Sequence, residues 1–167
     1  MSNDPSSDDP FITGVDYPSA FAELAIKLCD SATRYICILS PRLDHQVFDN
    51  PALAYSLSIL ARRSRYTQIR ILVSDGCDII QKGHRLVHLA RRIPSAIHVQ
   101  KLTEHPDMKG DTLLIRDLDG ILYKPAGSDH SAFYEPNSRS STQPHLDLFN
   151  ELWRLSSPDP EFRSLSL

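Results

Sequence analysis

Residues 34–75 decide the fold of this chain. They begin with an apolar, β-branched run, Arg34-Tyr-Ile-Cys-Ile-Leu-Ser40, and end with a second one, Gln68-Ile-Arg-Ile-Leu-Val-Ser-Asp75. Between the two runs, apolar residues recur at helical spacing, at Leu53, Leu57, Leu60 and Ala61. A helix of this length carries the chain back to the edge of the sheet where it began, so the two strands are predicted to pair in parallel through a right-handed crossover.

The rest of the chain supplies further helices and strands around this unit. Apolar residues at helical spacing predict a first helix after Asp16, a third helix in one piece over residues 78–92 and a last helix over residues 145–156. Alternating residues predict a strand over 96–102, and the Asp119-Gly120 pair joins two apolar runs in a hairpin. We therefore predict an α/β fold with three layers, in which a mixed, mostly parallel sheet is flanked by helices.

The chain is predicted to fold as one domain over residues 14–157. A length of 167 residues suits one core and is short for two. Residues 1–13 are polar and cannot bury enough apolar area to offset the entropy of ordering, so we expect a disordered tail. Residues 158–167 are expected to trail off as a C-terminal tail, and residues 125–144, rich in Ser, Pro, Asn and Gly, to form a long irregular loop.

Charge and composition argue against several classes of protein. The net charge of −3 argues against a general binder of nucleic acid or membrane surfaces, although a local basic patch is compatible with it. No apolar run reaches the ~18 residues of a membrane span, and the acidic N-terminus lacks the features of a signal peptide. The three cysteines lack the paired spacing of a zinc site and are interpreted as buried free thiols. We expect a cytoplasmic protein without metal or cofactor.

Polar side chains at strand ends and on the third helix are the candidate ligand-binding groups. Loops at the carboxyl ends of parallel strands form ligand sites in open α/β sheets, and the long loop after the first strand is such a loop. The candidates are Asp44, His45, His84, Arg85, His105 and Asp117. The alternative for the loop is a structural one, in which Asp49 or Asn50 caps the next helix. No catalytic residue is assigned.

The order of the predicted elements over roughly residues 17–156 resembles one half of the phospholipase D-like fold. The apolar strands, Asp44 in the loop between them, and the closing Phe149-Asn-Glu-Leu-Trp153 carry this likeness. More narrowly, Leu43-Asp-His-Gln-Val-Phe-Asp-Asn-Pro51 and the turn Gly83-His-Arg85 resemble an uncharacterised proteobacterial domain. That domain is often found C-terminal to a GNAT-type acetyltransferase.

The resemblance implies where a catalytic motif would lie. Active phospholipase D-like enzymes use a His-x-Lys-(x)4-Asp motif, and with Asp117 in its last position, Gly110 falls in the His position and Thr112 in the Lys position. Glycine has no nucleophile and threonine has no charge for phosphate. A frame shifted to Asp119 puts Thr112 and Leu114 in those positions, which is no better. The resemblance therefore implies the fold without its standard mechanism.

Three functional hypotheses remain open. The first is a non-catalytic binding or interaction module that takes a small anionic or phosphate-containing ligand or a partner protein. The second is a divergent phosphodiesterase or phosphatidyl-transfer-type hydrolase, which requires His45, His84 and His105 to converge on one point. The third is a regulatory partner of an acetyltransferase. A homodimer is also expected from the resemblance, because single-half members of the superfamily pair, and Trp153 is expected to be buried against the sheet.

Overall fold

The fold is that of a computed structural model, which describes residues 9–163. The strands are β1 (Ile12–Val15), β2 (Tyr35–Leu39), β3 (Gln68–Val73), β4 (Ile97–Lys101), β5 (Thr112–Arg116), β6 (Gly120–Lys124) and β7 (Ala132–Glu135). The helices are α1 (Ser19–Asp30), α2 (His45–Phe48), α3 (Pro51–Arg63), α4 (Cys77–Lys82), α5 (Arg85–Arg92), α6 (Arg139–Leu155) and α7 (Pro160–Arg163).

The strands form one sheet in the order β1-β7-β6-β5-β2-β3-β4. The predicted parallel pair is present, because β2 and β3 run in parallel with Ile36 opposite Ile69. The α/β class is confirmed, but the sheet is mostly antiparallel rather than mostly parallel. Only β2-β3 and β3-β4 are parallel among the six pairings of these strands. The reason is that β5, β6 and β7 follow one another as a meander, which needs only short turns.

Helices cover both faces of the sheet and complete the three layers. In β2, Ile36 and Ile38 pack with the core formed by α1, α3 and α5, whereas Cys37 and Leu39 pack with the core formed by α6. This alternation follows from the pleat, which sends successive side chains to opposite faces. Phe149 is fully buried in the α6 layer. Trp153 stacks on it and packs against the same core, but it is only partly buried rather than buried as predicted.

The predicted third helix is two helices. Gly83 has φ +71° and His84 is extended, so α4 ends before Gly83 and α5 begins after His84. A φ in the left-handed region breaks a helix, and glycine adopts it without steric cost.

The predicted irregular loop over residues 125–144 contains two ordered elements. β7 pairs with both β6 and β1 and buries Tyr134 completely. The last helix begins at Arg139 instead of His145, because the Ser138 side chain accepts a hydrogen bond from the backbone N–H of Ser141 and caps it. Ser and Pro suggested a loop because both residue types are also common in turns.

Both predicted tails are partly ordered. Residues 1–8 and 164–167 lie outside the described residues. Within the described part, Ile12 pairs with Tyr134 in the sheet and Asp9 lies 2.8 Å from the ammonium of Lys27. At the other end, α7 buries Phe162. Each described part of a tail thus contributes a contact to the domain.

The three cysteines are free thiols in two different environments. Cys29 and Cys37 are buried, as predicted, but Cys77 is exposed at the start of α4. Burial raises the pKa of both inner thiols. Across residues 9–163, no helix is long and apolar enough to cross a membrane.

Candidate functional site

A cleft of about 290 Å3 opens where β2 ends and β5 begins, and we call it the strand-end cleft. It lies at the carboxyl end of a parallel strand, where the sequence placed the candidate site. Both substituted motif positions, Gly110 and Thr112, line it. The other lining residues are Tyr17, Ser40, Pro41, Arg42, Asp44, Asp78 and Lys124.

Lys124 brings a buried cation to the strand-end cleft. It is the last residue of β6 and pairs directly with Thr112 of β5, and it is only 9% exposed. Its Nζ atom lies 4.9 Å from the centre of the Tyr17 ring and 3.5 Å from the exposed carboxylate of Asp129. The aromatic face stabilises the ammonium group in place of part of its hydration.

Tyr17 and Asp44 also line the cleft. The Tyr17 hydroxyl donates a 2.8 Å hydrogen bond to Asp44 Oδ2. Burial and the neighbouring Asp44 carboxylate raise the pKa of Tyr17, so the phenol stays protonated and keeps donating. The second oxygen of Asp44 accepts from the backbone N–H of Gln46 and caps α2. Both carboxylate oxygens of Asp44 are therefore already bonded within the protein.

His45 and His84 come together at a contact between two loops, which we call the histidine junction. Their ring centres lie 4.9 Å apart. Nε2 of His45 lies 2.7 Å from the Gly83 carbonyl oxygen, and Nε2 of His84 lies 3.0 Å from that of Leu43. A carbonyl only accepts, so each of these nitrogens donates. The two histidines fasten the loop after β2 to the break between α4 and α5.

The protonation state of His84 follows from its hydrogen-bond partners and its burial. Nδ1 accepts from the backbone N–H of Leu86 and caps α5, so this nitrogen carries no proton. Burial lowers the pKa of His84 to about 4, because the charged ring would lose its hydration. The ring also holds the carbonyl of Leu43, a buried residue with φ +53°. A neutral His84 thus secures a backbone conformation that leucine rarely adopts.

Arg85 follows His84 in the sequence, but its side chain lies outside the histidine junction. Its backbone N–H donates to Asp49 Oδ1 at 3.0 Å, and its guanidinium lies 3.5 Å from the same oxygen. The side chain is about half exposed and lines a groove between α3 and α5. Among the six predicted residues, Arg85 therefore presents its charge to that groove and Asp44 alone lines the strand-end cleft.

His105 and Asp117 lie away from both places. His105 Nδ1 accepts from the backbone N–H of Asp107, and no contact within residues 9–163 joins His105 to His45 or His84. Asp117 lies beyond the far end of β5 from Thr112, where its carboxylate accepts from the backbone N–H groups of residues 33–35. The three histidines do not converge, and no group of three or more His, Cys, Asp or Glu among the described residues is arranged to hold a metal.

Lys124 and Tyr17 are the cleft residues that sequence reasoning missed. A signal for Lys124 was present in the hairpin. Counting outward from the turn at residues 117–119 pairs Arg116 with Gly120 and, four steps later, Thr112 with Lys124. Tyr17 carries no comparable signal, because it precedes α1 and reaches Asp44 only through the tertiary fold.

Comparison with known families identifies the chain. Residues 17–165 match the model of a family described as a domain of unknown function, DUF7931. The chain belongs to the DUF7931 family. None of the curated proteins matches it. The family description names no acetyltransferase, so the likeness of this DUF7931 chain to an acetyltransferase companion domain stays a prediction.

Solved structures confirm that this DUF7931 chain has a phospholipase D-like fold. Nuc from Salmonella typhimurium, a phospholipase D family member, is 16% identical with a TM-score of 0.64, covering 90% of this chain and 97% of Nuc. NucT from Helicobacter pylori is 12% identical with a TM-score of 0.61, covering 90% of this chain and 98% of NucT. TrmBL2, an archaeal chromatin protein that binds DNA, is 12% identical with a TM-score of 0.64. That match covers 90% of this chain, which spans only 54% of TrmBL2.

Proposed function

We propose that this protein binds a singly charged phosphate ester in the strand-end cleft and does not cleave it. The observation that carries the proposal is Lys124, whose buried side chain lines the cleft directly opposite Thr112. In phospholipase D-like enzymes, the resemblance places a phosphate-holding lysine at the position of Thr112. Here the neighbouring strand supplies a cation to the same cleft.

The two motif positions supply no activated nucleophile, which supports binding without cleavage. Attack on phosphorus needs an activated nucleophile with a partner that orients it. Gly110 has no side chain, the Thr112 hydroxyl has no hydrogen-bond partner among residues 9–163, and Asp117 lies beyond the other end of β5, bonded to backbone. His45 and His84 each use a ring nitrogen to donate to a backbone carbonyl. The divergent phosphodiesterase hypothesis therefore has no support in the arrangement of these histidines.

The polar groups of the strand-end cleft suit a monoanion better than a polyanion. The lining has two cations, Lys124 and Arg42, and two carboxylates, Asp44 and Asp78, and the cations also lie 3.5 Å from Asp129 and 3.7 Å from Asp75, respectively. Asp44 already accepts from Tyr17 and Gln46, so it repels an incoming anion less than a carboxylate without hydrogen-bond donors would. The hydroxyl groups of Ser40 and Thr112 are further donors in the lining. A phosphodiester, with one charge and several acceptor oxygens, matches this set better than a polyphosphate.

Bis-p-nitrophenyl phosphate tests both halves of the proposal, because it is a phosphodiester whose cleavage releases a coloured product. We expect saturable binding by calorimetry and no release of p-nitrophenol by the purified full chain. Lys124→Met should weaken binding about tenfold or more, since one charge-assisted contact is lost. The matched control is Lys82→Met, which removes an exposed lysine outside the cleft lining and should leave affinity unchanged.

Two results would overturn the proposal. The first is turnover that follows the protein through purification and disappears in a His105→Ala variant, because it would show an active phosphodiesterase. The second is affinity that is equal in the wild type, Lys124→Met and Lys82→Met, or absent in all three. Thermal melts of the variants show whether a loss of binding comes from unfolding. Thr112→Val, which keeps the shape of the side chain and removes only the hydroxyl, gives a milder second variant.

A further inference from the structure

A second cavity, separate from the strand-end cleft, lies between α3 and α5, and we call it the basic groove. It has a volume of about 380 Å3, within the range of small-molecule sites. One side is formed by a face of α3 and the other by a face of α5. Its lining residues are Pro51, Ala54, Tyr55, Ser58, Arg62, Arg85, His88, Leu89 and Arg92.

The basic groove concentrates positive charge on a chain whose net charge is −3. Three of its lining residues are arginines, and the lining contains no acidic side chain. Arg85 shares its charge with Asp49 at 3.5 Å. Within residues 9–163, neither Arg62 nor Arg92 has a hydrogen-bond or ion-pair partner, so both guanidinium groups keep their five donors for solvent or a ligand. A concave, single-sign surface attracts an anion of opposite charge.

The spacing of the cations follows from the helix. Arg85, His88 and Arg92 lie three and four residues apart, so they line one face of α5. At 1.5 Å per residue, Arg85 and Arg92 are about 10 Å apart along the axis. Arg62 closes the groove from the end of α3. Cations spread along a groove in this way suit a ligand with phosphate at more than one point.

Tyr55 gives the basic groove a second kind of contact. Tyr55 is 69% exposed, whereas the leucines of the same helix are buried. No ring contact or cation–π pair of Tyr55 exists among the described residues. An exposed aromatic ring beside arginines is a surface on which a nucleobase stacks in a sequence-tolerant way.

We propose that the basic groove binds a nucleotide unit, with the base against Tyr55 and the phosphates held by Arg62, Arg85 and Arg92. Arginine suits this role because its planar guanidinium pairs with two phosphate oxygens at once. His88 adds a further polar group between Arg85 and Arg92 on the same helix face. The unit is either a free nucleotide or part of a single-stranded oligonucleotide, since both offer a base and phosphate. This inference does not depend on the strand-end cleft.

The test uses the full chain with two probes, ATP and an eight-residue oligothymidylate, titrated by calorimetry. The double variant Arg62→Ala/Arg92→Ala should weaken binding at least tenfold, and Tyr55→Ala about fivefold to tenfold. The chain offers matched controls outside the groove. Arg65 and Tyr66 are exposed and bond to each other, and Arg65→Ala and Tyr66→Ala should each leave affinity within about twofold. All five substituted residues are exposed, so the variants should keep the wild-type melting temperature.

Each outcome decides the proposal. Binding of ATP alone supports a free nucleotide, and tighter binding of the oligonucleotide supports a nucleic-acid strand. Failure of both probes to bind saturably overturns the proposal. It is also overturned if the arginine variants weaken binding while Tyr55→Ala does not, because the groove would then be a nonspecific anion surface. Equal losses in the control variants would place the binding elsewhere on the chain.

Discussion

Two consecutive residues, His84 and Arg85, differ in the partners of their side chains and in the surface that each one faces. His84 belongs to the histidine junction, is 2% exposed, and bonds to backbone through both ring nitrogens. Arg85 opens into the basic groove, where Arg62 and Arg92 have no partner among residues 9–163. In the junction the ring nitrogens are used to hold the fold, whereas in the groove donors remain for a ligand. The difference shows that the partners of a polar group, and not its residue type, indicate its role.

Among the variants that test this comparison, His84→Ala should have the largest effect on the free energy of unfolding. The variant removes the cap of α5 and leaves the buried Leu43 carbonyl without its donor. Together these losses should lower the free energy of unfolding by about 2–4 kcal/mol. Urea denaturation monitored by circular dichroism measures it. An unchanged midpoint would mean that the junction does not hold the loop after β2.

The pH dependence of the free energy of unfolding should also report on His84. The pKa of His84 is lowered to about 4 in the folded protein, against an ordinary value of about 6.5 in the unfolded chain. The unfolded state therefore binds more protons than the folded state between these two pH values. The contribution of His84 to the free energy of unfolding is fully present above pH 6.5 and is lost as the pH falls toward 4. His45, Asp49 and His88 also act on this ring, so the comparison needs a reference variant.

His84→Asn is that reference, because asparagine can cap the helix and donate to a carbonyl but does not titrate in this range. Between pH 7 and 4.5, the wild type should lose about 2 kcal/mol more of its free energy of unfolding than His84→Asn. Parallel curves for the two proteins would show that His84 is not the group that titrates.

His45→Ala should have a smaller effect. It removes one hydrogen bond to the Gly83 carbonyl at a partly buried position, so we expect a loss of about 1 kcal/mol. The double variant with His84→Ala should lose less than the sum of the two single losses, because both rings fasten the same pair of loops. Strict additivity in urea denaturation would contradict a shared junction.

The smallest effect on the free energy of unfolding is expected for a residue of the basic groove. Arg92→Ala removes a charge that has no partner within the described residues, so the free energy of unfolding should change by less than about 0.5 kcal/mol. A large loss of stability would mean that the groove arginines support the fold, and the contrast with the junction would disappear.

Much of the fold could be predicted from the sequence because apolar runs and periodicity report burial directly. The apolar, β-branched run over residues 34–40 and the Asp119-Gly120 pair led to the central strands and the hairpin, and both are present. β7 was missed because its four residues stand in a Ser- and Pro-rich stretch and gain their stability from pairing on both sides. Such long-range pairing leaves no local pattern.

The candidate site was harder to predict for a physical reason. Asp44, His84 and Asp117 were selected as polar residues at strand and helix ends, and each turned out to bond to backbone N–H groups there. Residue types that bind ligands also cap helices and turns, so the sequence does not separate the two roles. The basic groove exists only because α3 and α5 pack together. The homodimer and the acetyltransferase partner stay predictions, and light scattering would decide the first.

The exposed thiol of Cys77 offers a practical handle on this molecule. The other two cysteines are buried, so a maleimide dye should attach at one position without any mutation. A hydrogen bond to Asp75 raises the pKa of the Cys77 thiol, so labelling should be slow at neutral pH and faster in mild alkali. The next residue, Asp78, lines the strand-end cleft. A change in the fluorescence of a dye on Cys77 would therefore test the proposed binding in that cleft, in the native sequence and in real time.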